Sequence, residues 1–143
     1  MKTNAKILIT SLFAVIMLAM MPSKAQAQTK TFDEKFLPKS YVSDAKKPVL
    51  VMLTATWCPP CRTMKNQVMK NEEVKKVMEK MNVVFLDVDT EEGKKLAPGF
   101  TEAGFENGIP FFCILDTEGK PVKSMIGSTS EGNFLKFLSA AFE

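Results

Sequence analysis

A single α/β domain, with a central mixed β-sheet flanked by helices, is the fold class this sequence predicts. Three observations predict it. The run "VLVMLTA" at residues 49–55 is apolar without interruption and rich in β-branched side chains, as a central strand buried on both faces would be. A second apolar run, "VVFLDVD" at residues 83–89, follows two helical stretches, and a crossover of that length implies parallel pairing with the first. The third, "IPFFCIL", is joined by the turn "DTEGK" to "PVKSMIG", which predicts an antiparallel pair.

The chain opens differently. Lys2 and Lys6 precede "ILITSLFAVIMLAMM", and Ala25-Gln26-Ala27 then supplies the small-x-small pattern read by signal peptidase. The apolar run falls short of the roughly 20 residues that a spanning helix needs, so residues 1–27 are expected to be a cleaved signal peptide rather than a membrane anchor. No cysteine lies near that cleavage point, so a lipid-anchored product is not expected. Residues 28–143 remain as one domain, too short for two. Three of the 19 basic residues belong to the leader, leaving 16 against 16 acidic ones. The near-zero balance offers nothing to draw a nucleic acid or an anionic membrane surface.

Each element has its own local reason. A short helix is expected around residues 39–47, bracketed by Pro38 and Pro48. After the first strand, Pro59 and Pro60 occupy the first positions of a helix, where a missing N–H costs nothing, and this helix is expected to run to about residue 70. Asn71 is expected to cap a second helix carrying Val74, Val77, Met78 and Met81 at helical spacing. "TEEGKKLA" predicts a helical turn or two, and "PGFTEAGFENG" an irregular connection. Gly119 suits a turn position with positive φ. Ser128 and Glu131 resemble a capping box for a last helix with Phe134, Phe137, Leu138 and Ala141 on one stripe.

Two of the three cysteines lie in "TATWCPPCRTM", and the chain has no histidine. A structural disulfide between Cys58 and Cys61 would close a loop too short to remove much unfolded-chain entropy. A zinc site needs four ligands, and Cys113 is the only further thiol. Thiol–disulfide exchange is the use this spacing serves best. At a helix start, unpaired N–H groups and the macrodipole favour a thiolate, so Cys58 is expected to be the exposed nucleophile. Cys61, one turn further on and shielded, is expected to be the resolving thiol.

"WCPPC" after a buried strand, with "GIP" some 50 residues later leading the third, resembles the thioredoxin superfamily, and the resemblance spans about residues 45–142. The stretch "WCPPCRTMKNQVMKNEEVKKVMEKMNVVFLDVD" is similar to exported thioredoxin-like domains related to the C-terminal domain of the thiol reductase DsbD. The resemblance implies a thioredoxin fold, a cis peptide at Ile109-Pro110 beside the active-site disulfide, and a shallow substrate-binding surface made by Trp57, Pro59, Ile109, Pro110 and Gly127. Ile109 would offer its backbone to an extended segment of the substrate. Read without the motif, Trp57 is a half-buried packing residue and Pro110 an ordinary edge proline.

Two features depart from thioredoxin. Met52 stands where thioredoxins usually bury an aspartate that manages the proton of the second cysteine, so water or a neighbouring side chain must serve Cys61. Pro59-Pro60 replaces Gly-Pro between the cysteines, where residues tune the redox potential. Cys113, within "FFCIL", is expected to behave as a small hydrophobe, the alternative being a regulatory or intermolecular disulfide. The methionines near the motif, Met52 and Met64, are expected to fill core rather than bind metal, and "EEVKKVMEK" to be a solvated helix face.

The resulting expectation is a periplasmic or otherwise extracytoplasmic protein-disulfide reductase. It would need no cofactor and no metal, act on proteins with disulfides, draw electrons from a membrane donor, and work as a monomer with no nucleic-acid partner and no membrane insertion once the leader is removed. An oxidase or isomerase, and a binding module without turnover, are the alternatives. Strong oxidants of the superfamily often carry a histidine between the cysteines, and none is present.

Overall fold

A computed structural model describes residues 31–143, and the signal-peptide expectation for residues 1–27 lies outside them. β1 (Val49–Thr54) is buried at every position. It pairs in parallel with β2 (Asn82–Asp87) and antiparallel with β3 (Phe111–Leu115), which pairs antiparallel with β4 (Pro121–Ile126). The sheet order is β2-β1-β3-β4. A strand with a neighbour on each side and an apolar layer on each face has no position for a polar side chain, which is why residues 49–53 are uniformly hydrophobic.

Two apolar layers sandwich the sheet. On one face Leu50, Met52, Phe112 and Ile114 meet Cys61 and Met64 of α1 (Pro59–Asn66), Val74 of α2 (Glu72–Met78), and Phe134, Phe137 and Leu138 of α4 (Glu131–Ser139). Phe112 lies edge-on to Phe134 with centroids 5.1 Å apart, an arrangement favoured by the ring quadrupoles. On the other face Val51, Leu53, Phe111 and Cys113 pack against Phe36, Leu37, Phe100 and Phe105. That layer is completed by α3 (Glu91–Leu96) and the 3-10 helix Ala97–Ala103. Four helices flank a mixed sheet, as the resemblance implied.

Several local expectations hold for the reasons given. Asn71 caps α2, its side chain accepting from the Glu73 and Val74 N–H groups. Gly119 adopts φ +82° in the β3–β4 turn. Others are corrected. The helix expected around 39–47 is only a 3-10 turn, Lys39–Tyr41, because the following segment is drawn to Asn82 instead. The buried Asn82 amide donates to the Asp44 and Lys47 carbonyls, while its oxygen accepts from Ser43 Oγ and the Asp44 N–H. Every hydrogen-bonding site of that side chain is thereby engaged.

The motif helix stops at Asn66 rather than near residue 70. Gln67 ends it as the C-cap, at φ −118° and ψ −70°, and a 3-10 turn, Val68–Lys70, inserts Val68 and Met69 into the core. The capping box at Ser128 is displaced by two residues: Ser130 caps α4, with its hydroxyl accepting from Asn133 N–H. Gly127, at φ +89°, and the Thr129 N–H directed at Met64 Sδ, 3.4 Å away, hold residues 127–129 outside the helix. The stretch expected to be irregular between residues 98 and 103 is helical because Ala97 and Phe100 are both buried beneath it.

Candidate active site

The site lies at the C-terminal end of β1, where crevices form in open α/β sheets. Thr54 ends the strand, residues 55–57 turn, and Cys58 becomes the N-cap of α1 with φ −87° and ψ 107°. Pro59 and Pro60 fill the first helical positions, and Cys58 Sγ accepts the Cys61 N–H at 3.2 Å. A sulfur thus performs the capping that an oxygen usually provides. Cys58 and Cys61 are joined as a disulfide, with Cα atoms 5.3 Å apart.

The exposure expected of Cys58 is not found in this oxidised form. Cys58 is 2% exposed and Cys61 0%. The physical reason is the cap itself, which turns Sγ inward over the first helical turn and against the apolar layer that includes Ala55 and Met64. Trp57 is 63% exposed, and Pro59 is exposed on the other side of Cys58, so the disulfide sits just under a rim of open side chains.

The other predicted surface residues gather here. The Ile109-Pro110 peptide is cis. Pro110 is buried and its carbonyl accepts the Gly127 N–H at 2.8 Å, which ties Gly127 to this segment. Ile109 is half-buried against the layer that contains both cysteines, and its peptide makes no backbone hydrogen bond among the described residues. A cavity of about 660 Å³ opens between Trp57 and Ile109, floored by Val88, Ala97, Pro98 and Phe105.

Sequence reasoning missed three contributors. Asp89 accepts a 2.6 Å hydrogen bond from Trp57 Nε1 and so orients the exposed indole. A carboxylate just beyond a strand parallel to the motif strand was the available signal. The cavity floor comes from the segment read as irregular. Thr54 is 2% exposed, and its Oγ1 has no hydrogen-bond partner among the described residues. Cys113 is fully buried in β3 and unpaired, and burial pushes its thiol up to about 12. It is a core residue here. Among the described residues no three His, Cys, Asp or Glu side chains converge as a metal site would require, and no helix is long and apolar enough to cross a membrane.

Comparison with known proteins places this geometry. A family model described as thioredoxin-like matches residues 25–117. The chloroplastic thioredoxin-like protein HCF164 of Arabidopsis thaliana is 36% identical over 91 residues, 64% of this chain and 33% of that protein. This chain therefore spans about a third of the length of its chloroplast relatives. Thioredoxin of Mycobacterium tuberculosis is 33% identical over 120 residues, 84% of this chain and 94% of that one. Among solved structures, the oxidised DsbD C-terminal domain of Neisseria meningitidis superposes with a TM-score of 0.55 at 21% identity, covering 72% of this chain and 87% of that one, a likeness of fold.

Proposed function

This chain belongs to the thioredoxin-like family, and on that premise we propose that it is an exported protein-disulfide reductase. The fold and the Cys58–Cys61 pair are those of a thiol–disulfide oxidoreductase. The observation that carries the reading is a disulfide held at the first turn of α1 with one of its sulfurs as the helix cap.

In the reduced protein, the Cys61 N–H and the positive end of the α1 dipole stabilise Cys58 as a thiolate. That thiolate attacks a substrate disulfide. A Cys58–substrate bond forms, the substrate bond breaks, and the departing substrate sulfur takes a proton from solvent. Cys61, after losing its proton, attacks Cys58, restoring the internal disulfide and releasing the second substrate thiol. Two electrons pass from the dithiol to the substrate, and a membrane donor on the extracytoplasmic side returns them. Because Cys58 is so nearly covered, the substrate must approach along the rim, with an extended segment beside Ile109, its side chains over Trp57 and Pro59, and Pro110 and Gly127 shaping the floor. No cofactor takes part, and the working unit is a monomer.

The leader-like residues 1–27 support export, and the absence of histidine supports reduction over oxidation. Equilibration of residues 28–143 with a glutathione series is the test. A potential near −270 mV, as in thioredoxin, is expected, whereas one near −120 mV, as in DsbA, would make the protein an oxidant. Cys61→Ser should trap substrate proteins as mixed disulfides. A wild-type protein that never turns over insulin disulfides would be a binding module instead.

A further inference from the structure

Sulfur exchange by itself needs only a path to Cys58 Sγ, yet a cavity of about 660 Å³ lies open beside it, between Trp57 and Ile109. That volume is within the range, about 300–1,000 Å³, of sites that enclose a ligand. The floor is apolar: Ala97 is 4% exposed and Phe105 8%, and both belong to the hydrophobic layer on the sheet face opposite the disulfide. Two charged side chains reach the cavity, Lys94 and Glu106, and both are exposed. They are opposite in sign, and Lys94 already pairs with Glu91 at 3.1 Å. A charge carried down to the floor would leave water and meet only apolar side chains there.

The walls are fixed before anything enters. Trp57 Nε1 donates to Asp89 at 2.6 Å, the Phe105 N–H donates to the Phe100 carbonyl at 3.1 Å, and the Phe105 ring rests 5.3 Å, centroid to centroid, from that of Phe111. An occupant therefore spends little on shaping the site. Position then selects the occupant. Trp57 adjoins Cys58 in the chain, and Ile109 packs against the layer that holds both cysteines, so a molecule exchanging with Cys58 lays its own backbone across the cavity mouth. Residues of an extended segment stand about 3.3 Å apart, so a side chain within two positions of the reacting cysteine reaches the opening. A substrate protein brings that side chain tethered through its own sulfur. A free small molecule would have only the apolar floor to hold it.

We propose that the cavity is a specificity subsite: it receives a large apolar side chain from within two residues of the substrate cysteine under attack, so the protein selects disulfides by the sequence around them. Aromatic side chains are preferred to aliphatic ones, because a ring entering the cavity meets the rings of Trp57 and Phe105. The inference deepens the exchange reaction proposed above and rests on it.

The test uses short peptides, each joined to an identical copy by one disulfide, with Phe, Leu, Ala, Lys or Asp placed in turn at the positions flanking the cysteine. Each set is mixed in excess with the pre-reduced domain of residues 28–143, and a single turnover is followed. Two electrons leave the Cys58–Cys61 dithiol, which closes to a disulfide, and two peptide thiols appear. At the favoured position Phe should react faster than Ala by on the order of tenfold, with Leu between them and Lys and Asp no faster than Ala. Thr101→Trp and Lys94→Trp each fill the cavity from an exposed position, and each should bring the ratio of Phe to Ala rates close to one. Equal rates for all peptides would overturn the inference, as would a preference for Lys or Asp. So would a Phe preference that survives in both tryptophan variants, since the ring would then be held outside the cavity. If the wild-type domain reduces no peptide and its disulfide fails to equilibrate with glutathione, the exchange reading itself falls.

Discussion

Cys58 and Cys113 are both buried, and their expected reactivities differ because their neighbours do. Cys58 lies at a helix start where its sulfur accepts the Cys61 N–H, whereas Cys113 stands in the middle of β3 within the apolar layer of the opposite face. Burial raises the Cys113 thiol from its ordinary 9.0 to about 12. Below pH 9 the thiol is neutral folded and unfolded, so it adds no pH dependence. Between 9 and about 12 the unfolded chain releases the proton and the folded one keeps it, so stability falls as pH rises. The loss is bounded by about 1.4 kcal/mol per pH unit. Urea midpoints at pH 8 and pH 10 should therefore drop more in wild type than in Cys113→Ala, and equal drops would refute the assignment. Alkylation of the reduced, folded protein at pH 8 should label Cys58 and spare Cys113 until denaturant is added.

At the scale of elements, junctions matter more than the elements themselves. α3 begins directly over the end of β2, and a Cβ at Gly93 would lie 1.8 Å from the Asp87 carbonyl oxygen. Gly→Ala in a helix ordinarily stabilises by about 1 kcal/mol. Here the sign should reverse, and Gly93→Ala should lose roughly 1–3 kcal/mol in a urea titration, since backbone stands on both sides of the clash. A more stable variant would show that α3 can slide away from the strand. The Asn71 cap is the opposite case, a local device at an exposed junction. Asn71→Ala should lose about 1 kcal/mol while leaving redox behaviour unchanged, since α2 meets the disulfide only through the shared core.

For the whole molecule, the two faces of the sheet divide the labour. The face bearing α1, α2 and α4 buries the disulfide, while the opposite face, built by α3 and the 3-10 helix Ala97–Ala103, supplies the cavity beside Trp57. Thr101 is exposed on that cavity's wall. In the proposed reductase, Thr101→Trp should lower kcat/KM for protein disulfides several-fold and leave the reaction with glutathione unchanged, because only a large substrate needs the space. Equal effects on both substrates would place protein docking elsewhere.

The chain by itself determined the strands, the helix start at Pro59-Pro60, the cap at Asn71 and the cysteine pair, because each follows from periodicity, backbone stereochemistry or spacing within a few residues. It also carried the positions of Trp57, Ile109, Pro110 and Gly127 through motif resemblance. Tertiary structure alone decided that the segment at residues 39–47 yields to the Asn82 amide, that residues 97–103 coil over the core, and that Asp89 reaches Trp57. It alone decided, too, that the capping sulfur of Cys58 is covered and that the Thr54 hydroxyl has no partner among the described residues. Those outcomes depend on groups far apart in the chain, and solvent exposure and hydrogen-bond partnership acquire values only once the sheet has brought them together.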